Sequence, residues 1–163
     1  FLAACLFLVG CGSGGAGSAP SWNGALNSSG YPDVAGTYAM VFSASTMTCN
    51  NGNSSPTPAL SENCTISQNG NILTDSSCSA PIAAGITVQS SSAPTGDIGI
   101  DGVAILNGSE VLTSSAVTGN IYVSSNATFT FSSNGASGTI KDAITYPNST
   151  ACNATINFTA TKM

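Results

Sequence analysis

The chain predicts an all-β domain, an antiparallel meander of about eight strands closed into an up-and-down β-barrel. Three observations predict it. Apolar side chains alternate with small polar ones at period two from Val34 onward, the signature of half-buried strands. Turn dipeptides, Asn69-Gly70, Asn107-Gly108 and Asn134-Gly135 among them, punctuate that alternation and supply the positive-φ residues that tight hairpins need. No stretch carries the period of an amphipathic helix. Closing an eight-stranded sheet removes the unpaired edges that a β protein must hide. A two-sheet β-sandwich is the alternative.

The elements follow in order. The first strand carries Tyr38, Met40 and Phe42 on one face, with Ala39, Val41 and Ser43 on the other, and extends toward Cys49. Residues 50–62, with Pro56 and Pro58, read as an exposed loop. Residues 64–74 read as a hairpin turning at Asn69-Gly70, and Ile86 and Val88 mark a short strand after Pro81. Residues 97–106 read as one strand in which Ile98 and Ile100 fall out of phase with Val103 and Ile105. Gly102 is the expected bulge absorbing that shift. Asn107-Gly108 is then expected to turn the chain into Val111-Leu112. Residues 117–123, with Ile121 and Val123 on one face, lead to Phe129 and Phe131. Asn134-Gly135 turns into residues 138–140, residues 143–146 follow, and Pro147 ends that segment. The last strand, 152–162, places Ile156, Phe158 and Ala160 inward.

Composition excludes whole classes of function. Charged residues are 6% of the 163, the formal net charge is −5, and histidine is absent. The only cations are Lys141 and Lys162. A nucleic-acid partner needs a basic stripe to neutralise phosphates, so none is expected, and a polybasic membrane patch is excluded on the same ground. Without histidine there is no Ser-His-Asp or Cys-His site, and no enzyme or cofactor is expected. Asp97 and Asp101, four residues apart on one strand, would stand about 13 Å apart, too far for the paired carboxylates of glycoside hydrolysis. The run Asp97-Ile98-Gly99-Ile100-Asp101-Gly102 superficially has the look of a calcium loop, but it lacks the ligands such a loop places at Gly99 and Gly108. Metal is therefore not expected.

Four cysteines, Cys49, Cys64, Cys78 and Cys152, lie in the expected domain. An even number in an exported chain points to two disulfides with three connectivities. The preferred pairing is Cys49–Cys64 with Cys78–Cys152; spacing and the missing histidine speak against zinc. The sequence begins with an apolar run, residues 1–9, which reaches Leu8-Val9-Gly10-Cys11 and then a Gly/Ser-rich stretch, residues 12–18. The run is short of the roughly 20 residues that span a bilayer and suits a signal h-region. This stretch resembles the lipobox of bacterial lipoproteins. The resemblance implies cleavage before Cys11, diacylglycerol on its thiol (a palmitate-type modification) and anchoring to the envelope, with the outer membrane favoured because Gly12 is not the retention Asp. Two or more acyl chains would hold the protein durably. On this reading residues 1–10 are a truncated signal peptide, 11–32 the lipidated cysteine with a flexible linker, and 33–163 a single all-β domain.

Gly36-Thr37-Tyr38 resembles the Gly-x-Trp that opens the first strand of lipocalins, with Tyr for Trp. The resemblance implies a barrel with Lys162 over that aromatic ring. Tyr38, Met40, Phe42, Phe129, Phe131 and Phe158 are the residues expected to line a ligand pocket or fill the core. The leading functional expectation is a structural or interaction module of the cell envelope, its partner an envelope protein or polysaccharide. The alternative is a lipocalin-like binder of a small apolar or neutral ligand. Asn-x-Ser/Thr triplets at Asn27, Asn53, Asn63, Asn107, Asn126, Asn148, Asn153 and Asn157 would make a secreted glycoprotein the next candidate if the lipobox reading failed.

Overall fold

The computed structural model describes residues 22–76 and 86–163. Cys5, the lipobox stretch with Cys11, the Gly/Ser-rich residues 12–18, Cys78 and Pro81 lie outside them. Ten strands run in chain order: β1 Gly36–Phe42, β2 Ser45–Cys49, β3 Ser54–Thr57, β4 Leu60–Asn69 and β5 Ile72–Asp75, then β6 Ile86–Ile98, β7 Val103–Ser114, β8 Val117–Ser132, β9 Gly135–Thr145 and β10 Ala151–Lys162. All pairings are antiparallel. The barrel runs β1-β4-β5-β6-β7-β8-β9-β10 and closes where β10 returns to β1, from Tyr38↔Lys162 to Phe42↔Phe158. This is the closed up-and-down barrel of eight strands that the sequence predicts; the sandwich is set aside.

The two additional strands are the far end of the first hairpin. β2 continues β1 along β10, and β3 continues into β4, so one long ribbon folds back at residues 50–53. Gly52, at φ +84°, closes that turn with its N–H on the Cys49 carbonyl at 3.0 Å. Residues 50–62 are therefore not a loop. Pro56 fits within β3 because that strand is a sheet edge, where a missing N–H costs no ladder bond.

Two other expectations are corrected. Residues 97–106 are not one bulged strand but the end of β6, a turn and the start of β7. The Gly102 N–H bonds to the Gly99 carbonyl at 3.0 Å, and the Gly99 N–H bonds to the Val103 carbonyl at 2.8 Å. Asp101 Oδ1 accepts the Val103 N–H at 3.1 Å, and Gly102 takes φ +81° against the Trp22 ring. Ile100 thus sits in the turn, 76% exposed, and the inward residues of β7 are Ala104 and Leu106. Asn107-Gly108 does not turn. It lies in mid-β7, where Asn126 Nδ2 donates to Asn107 Oδ1 at 2.8 Å, because a ladder of twelve paired residues with β8 outweighs the local turn preference.

The core fills one half of the barrel. Phe129 and Phe131 stack at 5.3 Å, Phe129 meets Phe158 at 4.7 Å, and Tyr38 meets Phe131 edge-on at 6.0 Å. Such offset and tilted pairs add to area burial. The Tyr38 hydroxyl donates to the Val34 carbonyl at 2.7 Å, and burial, with the negative charge of Asp33, pushes its pKa up to about 12. The last part of the stretch expected as linker, residues 22–32, is packed across this end of the barrel as a plug. Trp22 and Tyr31 lie against the core, and Pro32 is fully buried. Asn27 Nδ2 donates to the Gly70 carbonyl at 2.7 Å, and Gln68 both donates to the Pro32 carbonyl at 2.8 Å and accepts the Val34 N–H at 3.0 Å.

The disulfide pairing also differs from the preferred one. Cys49 is bonded to Cys152, its cross-strand neighbour in the β2–β10 ladder. The bond clamps the tip of the first hairpin to the start of the last strand. Cys49–Cys64 and Cys78–Cys152 are thereby excluded as pairs, and Cys64 is itself disulfide-bonded and fully buried.

Candidate functional site

The plug closes one end of the barrel, and the opposite end holds a partly open cavity of about 220 Å³. All eight barrel strands contribute to its wall. Its floor is apolar: Met40 and Phe42 from β1, Leu106 from β7, Ala127 and Phe129 from β8. Ile140 from β9 and Ile156 from β10 continue it, and Pro94 on β6 forms part of the side. Gly108 faces Pro94 so closely that a Cβ there would stand 2.9 Å from the proline Cγ. A larger residue would push this wall into the cavity.

Leu60, Pro58 and Val123 add to the apolar lining, and the polar lining, apart from Thr57 and Ser125, is acidic. Glu62 on β4, Asp75 on β5, Glu110 on β7 and Asp142 on β9 all reach the cavity. That is four of the chain's seven carboxylates. Period two puts them there, since each acid shares parity with an inward apolar residue: Glu62 with Cys64 and Ile66, Asp75 with Leu73, Glu110 with Leu106, Asp142 with Ile140. Asp75 is the deepest, 7% exposed, while Glu110 stands at the rim.

Burial raises the Glu62 pKa above the usual carboxylate range, and the nearby Asp75 carboxylate raises it further. Burial likewise raises Asp142, against the opposing effect of Ser125, whose Oγ donates to Asp142 Oδ1 at 2.6 Å. Neither lysine lines the cavity. Lys141 points to the outer face beside inward Asp142, and Lys162 lies opposite Tyr38 near the plugged end, its Cε 3.0 Å from where a Gly36 Cβ would stand.

Of the six aromatic and sulfur side chains expected as lining or core, the structure divides the set. Met40, Phe42 and Phe129 line the cavity, and Tyr38, Phe131 and Phe158 lie in the core beneath. Sequence reasoning missed the four acids, although their parity was available. Asp97 and Asp101 are on the outside, beside a shallow depression between β6 and β7. Asp97 accepts from Asn71 Nδ2 at 3.1 Å and Asp101 holds its own turn. Among the described residues no three His, Cys, Asp or Glu side chains converge closely enough to hold a metal ion. The chain matches no family model, no curated protein and no solved structure at a significant level.

Proposed function

We propose that this domain is a non-catalytic binding barrel of the bacterial cell envelope, holding one small molecule in the cavity at its open end. The observation that carries the reading is the cavity itself, with an apolar floor and a few polar groups at one end of a barrel, the usual build of a small-ligand site. Its volume lies below the roughly 300–1,000 Å³ of sites for drug-sized ligands, so the ligand is compact. The structural-module reading has less support. The large apolar residues exposed on the barrel strands, Val41, Ile72, Ile105 and Tyr122, stand on β1, β5, β7 and β8, with Asp97 between Ile72 and Ile105, and scattered exposed apolar residues mark no docking face.

The lipobox resemblance supplies the setting, with acyl chains on Cys11 as the anchor. The described residues begin at Trp22, on the plugged end, and the residues between it and Cys11 can span at most about 35 Å. An anchor there turns the plugged end toward the bilayer and the cavity away from it.

The test of binding is uptake of a neutral environment-sensitive fluorophore by the full chain, compared with Ala127→Trp, which fills the floor. Saturable one-to-one uptake that the filled variant loses, with its β circular dichroism intact, supports the reading. No uptake by the folded wild type overturns it. Intact-mass analysis of protein recovered from its native envelope tests the anchor, and an unmodified Cys11 thiol defeats that part alone.

A further inference from the structure

We infer that the ligand of this cavity is a small organic cation, an ammonium group carried on a compact apolar body. The inference rests on the binding-barrel reading and names the class of molecule that the site selects. Two features of the same cavity ask for two halves of one ligand. The floor of Met40, Phe42, Leu106 and Phe129 offers mostly aliphatic and aromatic surface. An apolar body is stabilised there by about 25 cal/mol per Å² buried, and aromatic faces also attract a cation.

The charged residues of the wall are all carboxylates, with no cation among the lining residues. In a chain with only seven acids, placing four of them around one cavity loads it with negative charge. Hydrogen bonds such as that from Ser125 to Asp142 leave the net negative charge of the four acids uncancelled, at a cost, in low dielectric. Burial raises the pKa of Glu62 and of Asp142, the direction that this cost dictates. A bound ammonium removes it and gains charge-assisted hydrogen bonds. An anionic ligand would add to the repulsion, and a neutral one would leave it in place.

The arrangement of the acids distinguishes an organic cation from a metal ion. They come from four different strands, β4, β5, β7 and β9, so they ring the cavity instead of meeting at a point. No metal-holding group of three forms among the described residues, whereas a divalent ion needs six or more oxygens at short, defined distances. Carboxylates spread over four strands, with Glu62 and Asp75 close together, suit an ammonium with several N–H donors. The chain's two lysines, held away from the site, do not compete for it.

The experiment uses matched probes that differ only in the head group: hexylamine and benzylamine, their alcohols hexanol and benzyl alcohol, and their carboxylates hexanoate and benzoate. Binding to the full chain at neutral pH is followed by amide chemical-shift changes on the residues lining the cavity. The amines are expected to bind at least roughly tenfold more tightly than the alcohols, about the worth of one charge-assisted contact, and the carboxylates least. The amine-over-alcohol ratio is expected to fall with added salt, and to fall in Glu62→Gln/Asp142→Asn, which keeps side-chain size. Equal binding of amine and alcohol at the cavity overturns the inference and leaves the binding barrel standing. If none of the six shifts cavity residues, the binding-barrel reading falls, and this inference with it. An amine preference that survives both high salt and the double substitution also overturns it, since the selectivity then comes from elsewhere.

Discussion

Removing the Cys49–Cys152 bond tests how this barrel is closed. The bond joins residues 103 apart in sequence, so in the unfolded chain it closes a loop on the order of 100 residues. The chain-entropy relation assigns such a loop about 4.7 kcal/mol of stabilisation. The dependence on length is logarithmic, so even halving the effective loop removes only about 0.6 kcal/mol. Cys152 is 1% exposed, and trimming its sulfur from a packed site costs up to ~1 kcal/mol more. The Cys49→Ala/Cys152→Ala variant is therefore expected to lose about 4–5 kcal/mol, a large share of the 5–15 kcal/mol of a typical domain. Its melting temperature should drop by roughly 10–25 °C. The assay is urea unfolding of wild type and variant, read by Trp22 fluorescence at the plugged end and by far-ultraviolet circular dichroism for the whole sheet. Coincident transitions in both proteins, with the variant shifted to lower urea, are expected. A loss under about 1 kcal/mol would refute the loop-closure reasoning, because the ladder between β1 and β10 would then be closing the barrel unaided.

Three further outcomes follow from the core, the plug and the cavity. Phe129→Ala removes the ring that packs on both Phe131 and Phe158 and should cost about 3–5 kcal/mol, measured by the same urea titration; a cost below about 1 kcal/mol would mean that the core is not where these rings place it. Gln68→Ala strips the partners from the Pro32 carbonyl and the Val34 N–H and should cost about 1–3 kcal/mol, with faster hydrogen exchange in the plug; unchanged exchange at Val34 would count against Gln68 as its fastener. Glu62 and Asp142 bind protons more tightly in the folded protein than in the unfolded chain, so stability should be greatest below their ordinary carboxylate range and decline as pH rises through the raised values. Asp142→Asn should flatten part of that decline, and a stability profile that instead rises with pH over this window would reverse the sign of the argument.

Much of the fold was legible because period two carries two kinds of information at once. Tyr38, Met40 and Phe42, and Ile156, Phe158 and Ala160, sit on the inward faces that their spacing assigns. The turns were less legible. Asn69-Gly70 does end β4, and Asn134 does sit in the turn after β8, though Gly135 already opens β9; Asn107-Gly108 is held straight by its neighbours and Asp101-Gly102 makes the turn instead. A dipeptide states a local preference of a few tenths to about 1 kcal/mol, and a long ladder on both sides outweighs it. The residues after Asn50 look like a loop because prolines are read against strands, and only the edge position of β3 makes Pro56 admissible. The disulfide partner was not legible at all. Cys49 and Cys152 meet because β10 runs beside both β1 and its continuation β2, a fact of topology that spacing does not contain.

The acids of the cavity were hidden by a habit of reading, since parity marks a position as inward whatever side chain stands there. From the plugged end to the open end, the inward residues of β7 run Ala104, Leu106, Gly108, Glu110, and those of β9 run Ala136, Gly138, Ile140, Asp142. On β4 they run Ile66, Cys64, Glu62, and on β5 Leu73, Asp75. Each series starts apolar where the plug and the aromatic rings pack and reaches an acid at the height of the cavity, with Leu60, Leu112 and Ile144 following on β4, β7 and β9. A barrel that needed only stability would carry apolar residues at this height on every strand, as it does with Val123 on β8 and Ile156 on β10, and would avoid the cost of half-buried carboxylates. The four strands together make one arrangement: an aromatic half packed against the plug, and a half in which apolar and acidic side chains surround the cavity.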